Sequence, residues 1–385
     1  MKELEYPFDS SFLLKNRRKI RRALLADGTP RMEKRIAILG GSTTNDIASM
    51  LELFLLQEGI APVFYQSEYA QYWQDAMFDN PELLEFHPDL IFIHTTVRNI
   101  TEAPLPLSAA PEEAEAALER QMAHFTQMWE HLEQTYHCPI LQNNFEFPAY
   151  RLMGNREAWD CHGMVWFVNE LNRRFAQYAA SHTDFYLHDI QYLSACYGLD
   201  AWQDSTYWYL YKYALALPAI PEFAYSLTRI IRSIYGKNKK VLALDLDNTL
   251  WGGVIGDDGQ EGIEIGQETA TAEAYTEVQE YCKAHKQLGV LLTICSKNEP
   301  ENALLGLAHP DSVLHADDFV SIQANWEPKD LNLCKTAQDL SLLPESFVFV
   351  DDNPAEREIV SAQIPRHCRA GIRLPRPSAS VSWTG

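Results

Sequence analysis

The strongest constraint in this sequence is the short run Val241–Leu244, which stops abruptly at Asp245-Leu246-Asp247. Four apolar residues with no polar alternation suit a strand buried on both faces, as in parallel sheets covered by helices. Parallel strands need long crossovers, so the surrounding chain is committed to an α/β architecture. The two aspartates fall at the strand's carboxyl end, where open α/β sheets keep their ligand sites. With a period of two, Asp245 and Asp247 are expected on one side, where their charges repel unless a cation or a proton intervenes. An acidic loop that caps the next helix is the plainer alternative.

Three later segments repeat the pattern of an apolar run ending in a polar group. Val290–Cys295 is followed by Ser296, a hydroxyl donor for a phosphate oxygen. Phe347–Val350 is followed by Asp351 and Asp352, which add the negative charge that a hard cation attracts. Lys329, at the end of Asn325–Lys329 (NWEPK), is placed to begin a helix after a strand near Phe319–Ile322. In this order the four segments resemble the motifs of the haloacid-dehalogenase (HAD) superfamily: DxDx(T/V), Ser/Thr, Lys and a final acidic pair.

The resemblance implies a fold, a reaction and a cofactor. Asp245 would be the nucleophile that forms an aspartyl-phosphate, and Asp247 the group that protonates the leaving oxygen and later takes a proton from water. Ser296 and Lys329 would bind the phosphoryl oxygens. Mg²⁺ would be held by Asp245, the backbone carbonyl of Asp247, and Asp352, with Asp351 supporting or replacing Asp352. The segments LDLDNTLWGGVIGDDG, ICSKNEPENA, NWEPK and FVDDNPAERE are similar to the subfamily IIIC, or FkbH-like, branch. Thr249, Trp251, Gly252 and Gly253 after the first motif, and Cys295, Lys297 and Asn298 around the second, are then expected to line the substrate. Some members of that branch remove phosphate from 1,3-bisphosphoglycerate and pass the glyceryl group through a cysteine to an acyl carrier protein. Cys295 is the candidate for that thiol, with a buried strand cysteine as the alternative. Neither interval between motifs has room for a cap domain, so an open site is expected, suited to a phosphorylated small molecule or a carrier-bound substrate.

Upstream, residues 1–34 read as a helical extension that carries the basic cluster Lys15–Arg22, expected to be a solvated helix face. From Arg35 to Tyr235 strands and helices alternate, beginning Ile36–Leu39, Gly40-Gly41-Ser42, then a helix through Ile47–Leu56. Ser42 stands where SGNH-type esterases keep their nucleophile, but the Asp-x-x-His that supplies their base is absent: Tyr192 follows Asp189, and Tyr207 follows Asp204, at the histidine position. This domain is therefore expected to bind or scaffold rather than hydrolyse, with His94, Arg98 and Asn99 as possible lining of its cleft. The aromatics of Trp202–Tyr213 are expected in the core. Polar Gly236–Lys240 marks the boundary to a HAD-like domain over 236–385, in which Ala370–Pro375 is a candidate last strand. The expectation is two three-layer α/β/α domains, an SGNH-like (flavodoxin-like) one and a capless HAD Rossmann-like one.

Composition narrows the partners. A net charge of −21 argues against nucleic acid, whose binding relies on clustered cations. No apolar run approaches the ~20 residues needed to span a bilayer. Seven cysteines without a CxxC pair, and no secretory leader, lead us to expect a reducing cytoplasm.

Overall fold

The computed structural model describes residues 1–78 and 80–363, so the candidate strand Ala370–Pro375 lies outside the described residues. The chain divides into two compact units, Met1–Tyr235 and Gly236–Gly385. Both are α/β with a wholly parallel sheet.

In the first unit the strands are β1 (Met32–Gly40), β2 (Ile60–Gln66), β3 (Leu90–His94), β4 (Ile140–Asn143) and β5 (Phe185–His188), in the order β2-β1-β3-β4-β5. Successive residues of β1 feed opposite faces: Ile36 and Ile38 pack with Leu51 and Phe223, while Ala37 and Leu39 pack with Ile91 and Trp129. Because helices cover both faces, alternation survives in side-chain direction but vanishes from polarity. The order reverses between β1 and β3, where Gly40 pairs opposite His94.

Helix Ser10–Ala26 is not a separate appendage, because Leu13, Ile20 and Leu24 are buried in the same core as Ile36 and Ile38. Its basic face is also not simply solvated. Arg17 pairs with Asp46, and Arg21 with Glu52 at 2.7 Å, both on helix Asn45–Gln57. The aromatic stretch departs from expectation too. Trp202 is buried, but helix Ser205–Tyr211 buries none of its residues, and Tyr209 and Tyr211 are exposed. Its Trp208 lies under the Arg98 guanidinium, 4.3 Å from the ring centroid.

The second unit has β6 (Val241–Leu244), β7 (Leu291–Ser296), β8 (Phe319–Ala324) and β9 (Phe347–Val350), in the order β8-β7-β6-β9. Leu242 and Leu244 face one core, and Val241 and Ala243 the other. One long helix, Ala270–Gln287, lies between β6 and β7, and one helix, Pro300–Leu307, between β7 and β8, so neither connection carries a cap domain. Helix Lys329–Asp339 begins at Lys329. The order reverses between β6 and β9, and this is the crevice that open α/β sheets use for ligands. No helix among the described residues is long and apolar enough to cross a membrane.

Candidate active site

Four segments meet at the carboxyl ends of β6, β7 and β9. The backbone N–H of Asp245 donates to Val350 O at 2.9 Å, which fastens the end of β6 to the end of β9. That link sets Asp245 beside the acidic pair: carboxylate oxygens of Asp245, Asp351 and Asp352 all lie within 4.8 Å of one another. Between them Lys329 places Nζ 2.9 Å from Asp245 Oδ2 and 2.6 Å from Asp351 Oδ2. Lys329 is 4 % exposed, so its charge is held where water screens little.

The electrostatics follow from this packing. Burial alone would pull Lys329 down, but the charges and hydrogen bonds of Asp245 and Asp351 outweigh it and raise its pKa. Asp351 is raised by burial and by the charge of Asp245, against the pull of Lys329. Asp352 is raised by burial and by both neighbouring aspartates. Three carboxylates that resist sharing their negative charge form an all-oxygen donor set, which fits a hard divalent cation such as Mg²⁺. The two members of the pair differ. Asp351 is buried, with Lys329 on one oxygen and the Asn353 N–H on the other at 2.8 Å, whereas Asp352 is exposed. Arg357 clamps the backbone of both by donating to Asp351 O and to Asp352 O at 2.7 Å.

Asp247 is placed differently from the period-two expectation. The strand ends at Leu244, and Asp247 lies in a turn bridged to Trp251, followed by Asn248 at a φ of 53°. Its carboxylate is outside the three-carboxylate cluster and accepts three N–H donors. Trp251 Nε1 and Ile255 N donate to Oδ1 at 2.9 and 3.1 Å, and Asn298 Nδ2 donates to Oδ2 at 3.0 Å.

Several residues expected to line the substrate make contacts within the scaffold. Trp251 is fully buried, its ring edge seated where a Cβ on Gly306 would collide at 2.5 Å. Gly252 allows a close approach of Tyr275 and Glu264, which a Cβ would meet at 2.8 and 3.0 Å. Gly253, at a φ of 91°, gives its N–H to Asn248 Oδ1 at 3.1 Å. The Thr249 hydroxyl accepts the Asp352 N–H at 3.2 Å. Lys297 pairs with Glu356 at 2.6 Å. Ser296 ends β7, buried, with its strand in register such that Ile294 faces Leu244. Cys295 is buried and donates to Lys329 O at 3.5 Å, and burial pushes its thiol up to about 12. A thiol so placed is neither ionised near neutrality nor open to an acyl phosphate, which is the buried-strand alternative. The sequence reading missed Gln279. Its side chain donates to Leu250 O at 2.8 Å and accepts from Ser312, Val313 and Leu314, latching the motif loop from beneath.

In the first unit Ser42 is 3 % exposed and its Oγ has no hydrogen-bond partner among the described residues. Asp189 and Asp204 are both spent as helix N-caps. His94 Nδ1 faces Asn143 Oδ1 at 3.1 Å and His188 Nε2 faces Ser226 Oγ at 3.0 Å, and among the described residues neither ring is hydrogen-bonded to Ser42. Asn99 packs against Gly41, where a Cβ would meet its amide at 2.4 Å, and Arg98 is stacked on Trp208.

Comparison with known proteins bears on this arrangement. A solved structure of the N-terminal part of the protein BF1531 from Bacteroides fragilis, described as containing a phosphatase domain complexed with Mg, is 27 % identical. It aligns over 91 % of this chain and 92 % of its own with a TM-score of 0.81. The catalytic domain of a peptidoglycan O-acetyltransferase from Streptococcus pneumoniae aligns over 54 % of this chain and 93 % of its own, at 11 % identity and a TM-score of 0.29. At that score it carries no weight for either fold or function. No curated protein matches the chain. Residues 35–232, a little over half of the sequence, match the FkbH N-terminal domain, and the chain therefore belongs to the FkbH family.

Proposed function

We propose that this chain is a Mg²⁺-dependent phosphohydrolase of the HAD class, with Asp245 as the nucleophile. The observation that carries the reading is the seat of Asp245, with Lys329 Nζ at 2.9 Å and Asp351 and Asp352 in the same acidic cluster. The Mg-bound phosphatase domain of the Bacteroides fragilis relative supports it. Asp245, Asp352 and Asp351 would hold the ion, which when bound supplies positive charge to balance the phosphoryl oxygens. Asp245 attacks phosphorus while Lys329 and Ser296 steady the phosphoryl oxygens. Asp247 hands a proton to the departing oxygen, then takes one from the water that cleaves the aspartyl-phosphate. Without a cap, the crevice does not exclude water by itself, which suits a bulky or carrier-bound phosphate whose own body completes the closure. Glyceryl transfer through Cys295 is the less supported alternative, because that thiol is buried and protonated.

The test is release of phosphate from 4-nitrophenyl phosphate in Mg²⁺. Asp245→Asn, which keeps the shape and removes the nucleophile, is expected to abolish it. Retained turnover would reject Asp245, and no turnover by the wild-type chain on any phosphorylated compound would reject the hydrolase reading.

A further inference from the structure

Asn298 is held by the protein's own groups. It is 4 % exposed, and its amide is fixed at both ends. The Glu299 N–H donates to Asn298 Oδ1 at 3.0 Å, which identifies that atom as the carbonyl oxygen, since an N–H cannot donate to an NH₂ group. The opposite end is therefore the donor, and it points at Asp247 Oδ2 at 3.0 Å. Trp251 and Ile255 reach Asp247 from its own loop, four and eight residues along. Asn298 comes from the loop after β7, 51 residues away, so it ties the second motif to the first.

A carboxylate has about four lone-pair sites. Here Oδ1 takes two N–H donors and Oδ2 takes one, so the remaining site is on Oδ2. We infer that Asn298 is a positioning residue that fixes the orientation of Asp247 and makes Oδ2 the oxygen through which its proton passes. This rests on the hydrolase reading above. In the first step a bond forms between Asp245 and phosphorus, the bond from phosphorus to the leaving oxygen breaks, and the Oδ2 proton goes to that oxygen. In the second, water displaces Asp245 from phosphorus and its proton returns to Oδ2. A poor leaving group needs that proton as it departs, whereas 4-nitrophenolate departs with little help. Asn298 should therefore matter in proportion to how poor the leaving group is.

The experiment compares the full chain with Asn298→Leu, similar in size but without the donor, on ethyl phosphate and 4-nitrophenyl phosphate in Mg²⁺. For ethyl phosphate kcat/KM, which reports the first step alone, is expected to fall roughly 100-fold, the lower end of what a general acid supplies, with KM little moved. For 4-nitrophenyl phosphate the loss in kcat/KM should stay within about fivefold, because general-acid help counts for less in that first step. Equal losses on both substrates, or none, would overturn the inference. A second measurement needs no turnover: the Trp251 indole N–H resonance, assigned through Trp251→Phe, reports on the carboxylate it touches. It should shift in Asn298→Leu as Asp247 turns, and an unmoved resonance would overturn the inference even if the chain hydrolyses neither phosphate.

Discussion

Lys329 is the residue on which the charge balance of the second unit depends, because it is the buried cation between two carboxylates. Removing one partner of a buried ion pair leaves the other charge uncompensated, at a cost of about 3 kcal/mol or more. Lys329→Met keeps the volume and loses the charge. It is expected to abolish turnover and to destabilise the second unit by about that amount in metal-free buffer. Mg²⁺ should then restore more stability to the variant than it adds to wild type, because a cation bound at Asp245 and Asp351 takes over the lost role. Denaturant titration with and without Mg²⁺ checks this, and a variant as stable as wild type without metal would contradict it. At this scale the sequence was legible where a motif names a single group, as with Asp245, Lys329, Asp351 and Asp352. It was not legible where direction matters. Asn298 and Trp251 sit inside recognisable motifs, yet whether a side chain faces a ligand or Asp247 depends on how two loops close in three dimensions.

Among the elements, the strands were the most readable, because uninterrupted apolar runs such as Val241–Leu244 leave few alternatives for a chain this rich in crossovers. The period-two argument failed three residues past the strand, since Asp247 belongs to a turn bridged to Trp251 and tied to Asn298. The aromatics of Ser205–Tyr211 misled for a related reason: that short helix buries none of its residues, with Trp208 half-buried against the core and Tyr209 and Tyr211 exposed. The ends of β3 and β5 give a prediction of their own. Burial holds the imidazoles of His94 and His188 neutral, down to about 4 and about 3, and both rings pack T-shaped with Phe223. Unfolded histidine takes its proton near 6.5, so this stability is intact above that pH and is lost as pH falls toward the folded values. Buried Glu146, pushed up to about 7 by desolvation, has the opposite sign: its stability is present below about 4.5 and lost as pH rises through 7. Two histidines outweigh one glutamate, so acidification from pH 6.5 to 5 is expected to cost the first unit on the order of 2 kcal/mol. Urea denaturation at the two pH values measures it, and a first unit equally stable at both would contradict the assignment.

The whole molecule holds two parallel sheets, each with a crevice where its strand order reverses. One crevice has Ser42 after β1, an alcohol with no hydrogen-bond partner among the described residues; the other has Asp245 after β6, within reach of a buried lysine and two further carboxylates. That division was visible in the sequence through a missing Asp-x-x-His and a complete set of four motifs. What it could not supply was the convergence itself, which depends on the β6–β9 pairing that brings residues more than a hundred positions apart to one edge. The account therefore stands on which side chain carries the phosphoryl group. The wild-type chain is mixed with a phosphorylated substrate and Mg²⁺, quenched in acid, and digested for peptide mass mapping. A phosphoryl group on the peptide that contains Asp245, absent in Asp245→Asn, is the result expected. Turnover with the group on the Ser42 peptide, or on any residue other than Asp245, would contradict the account.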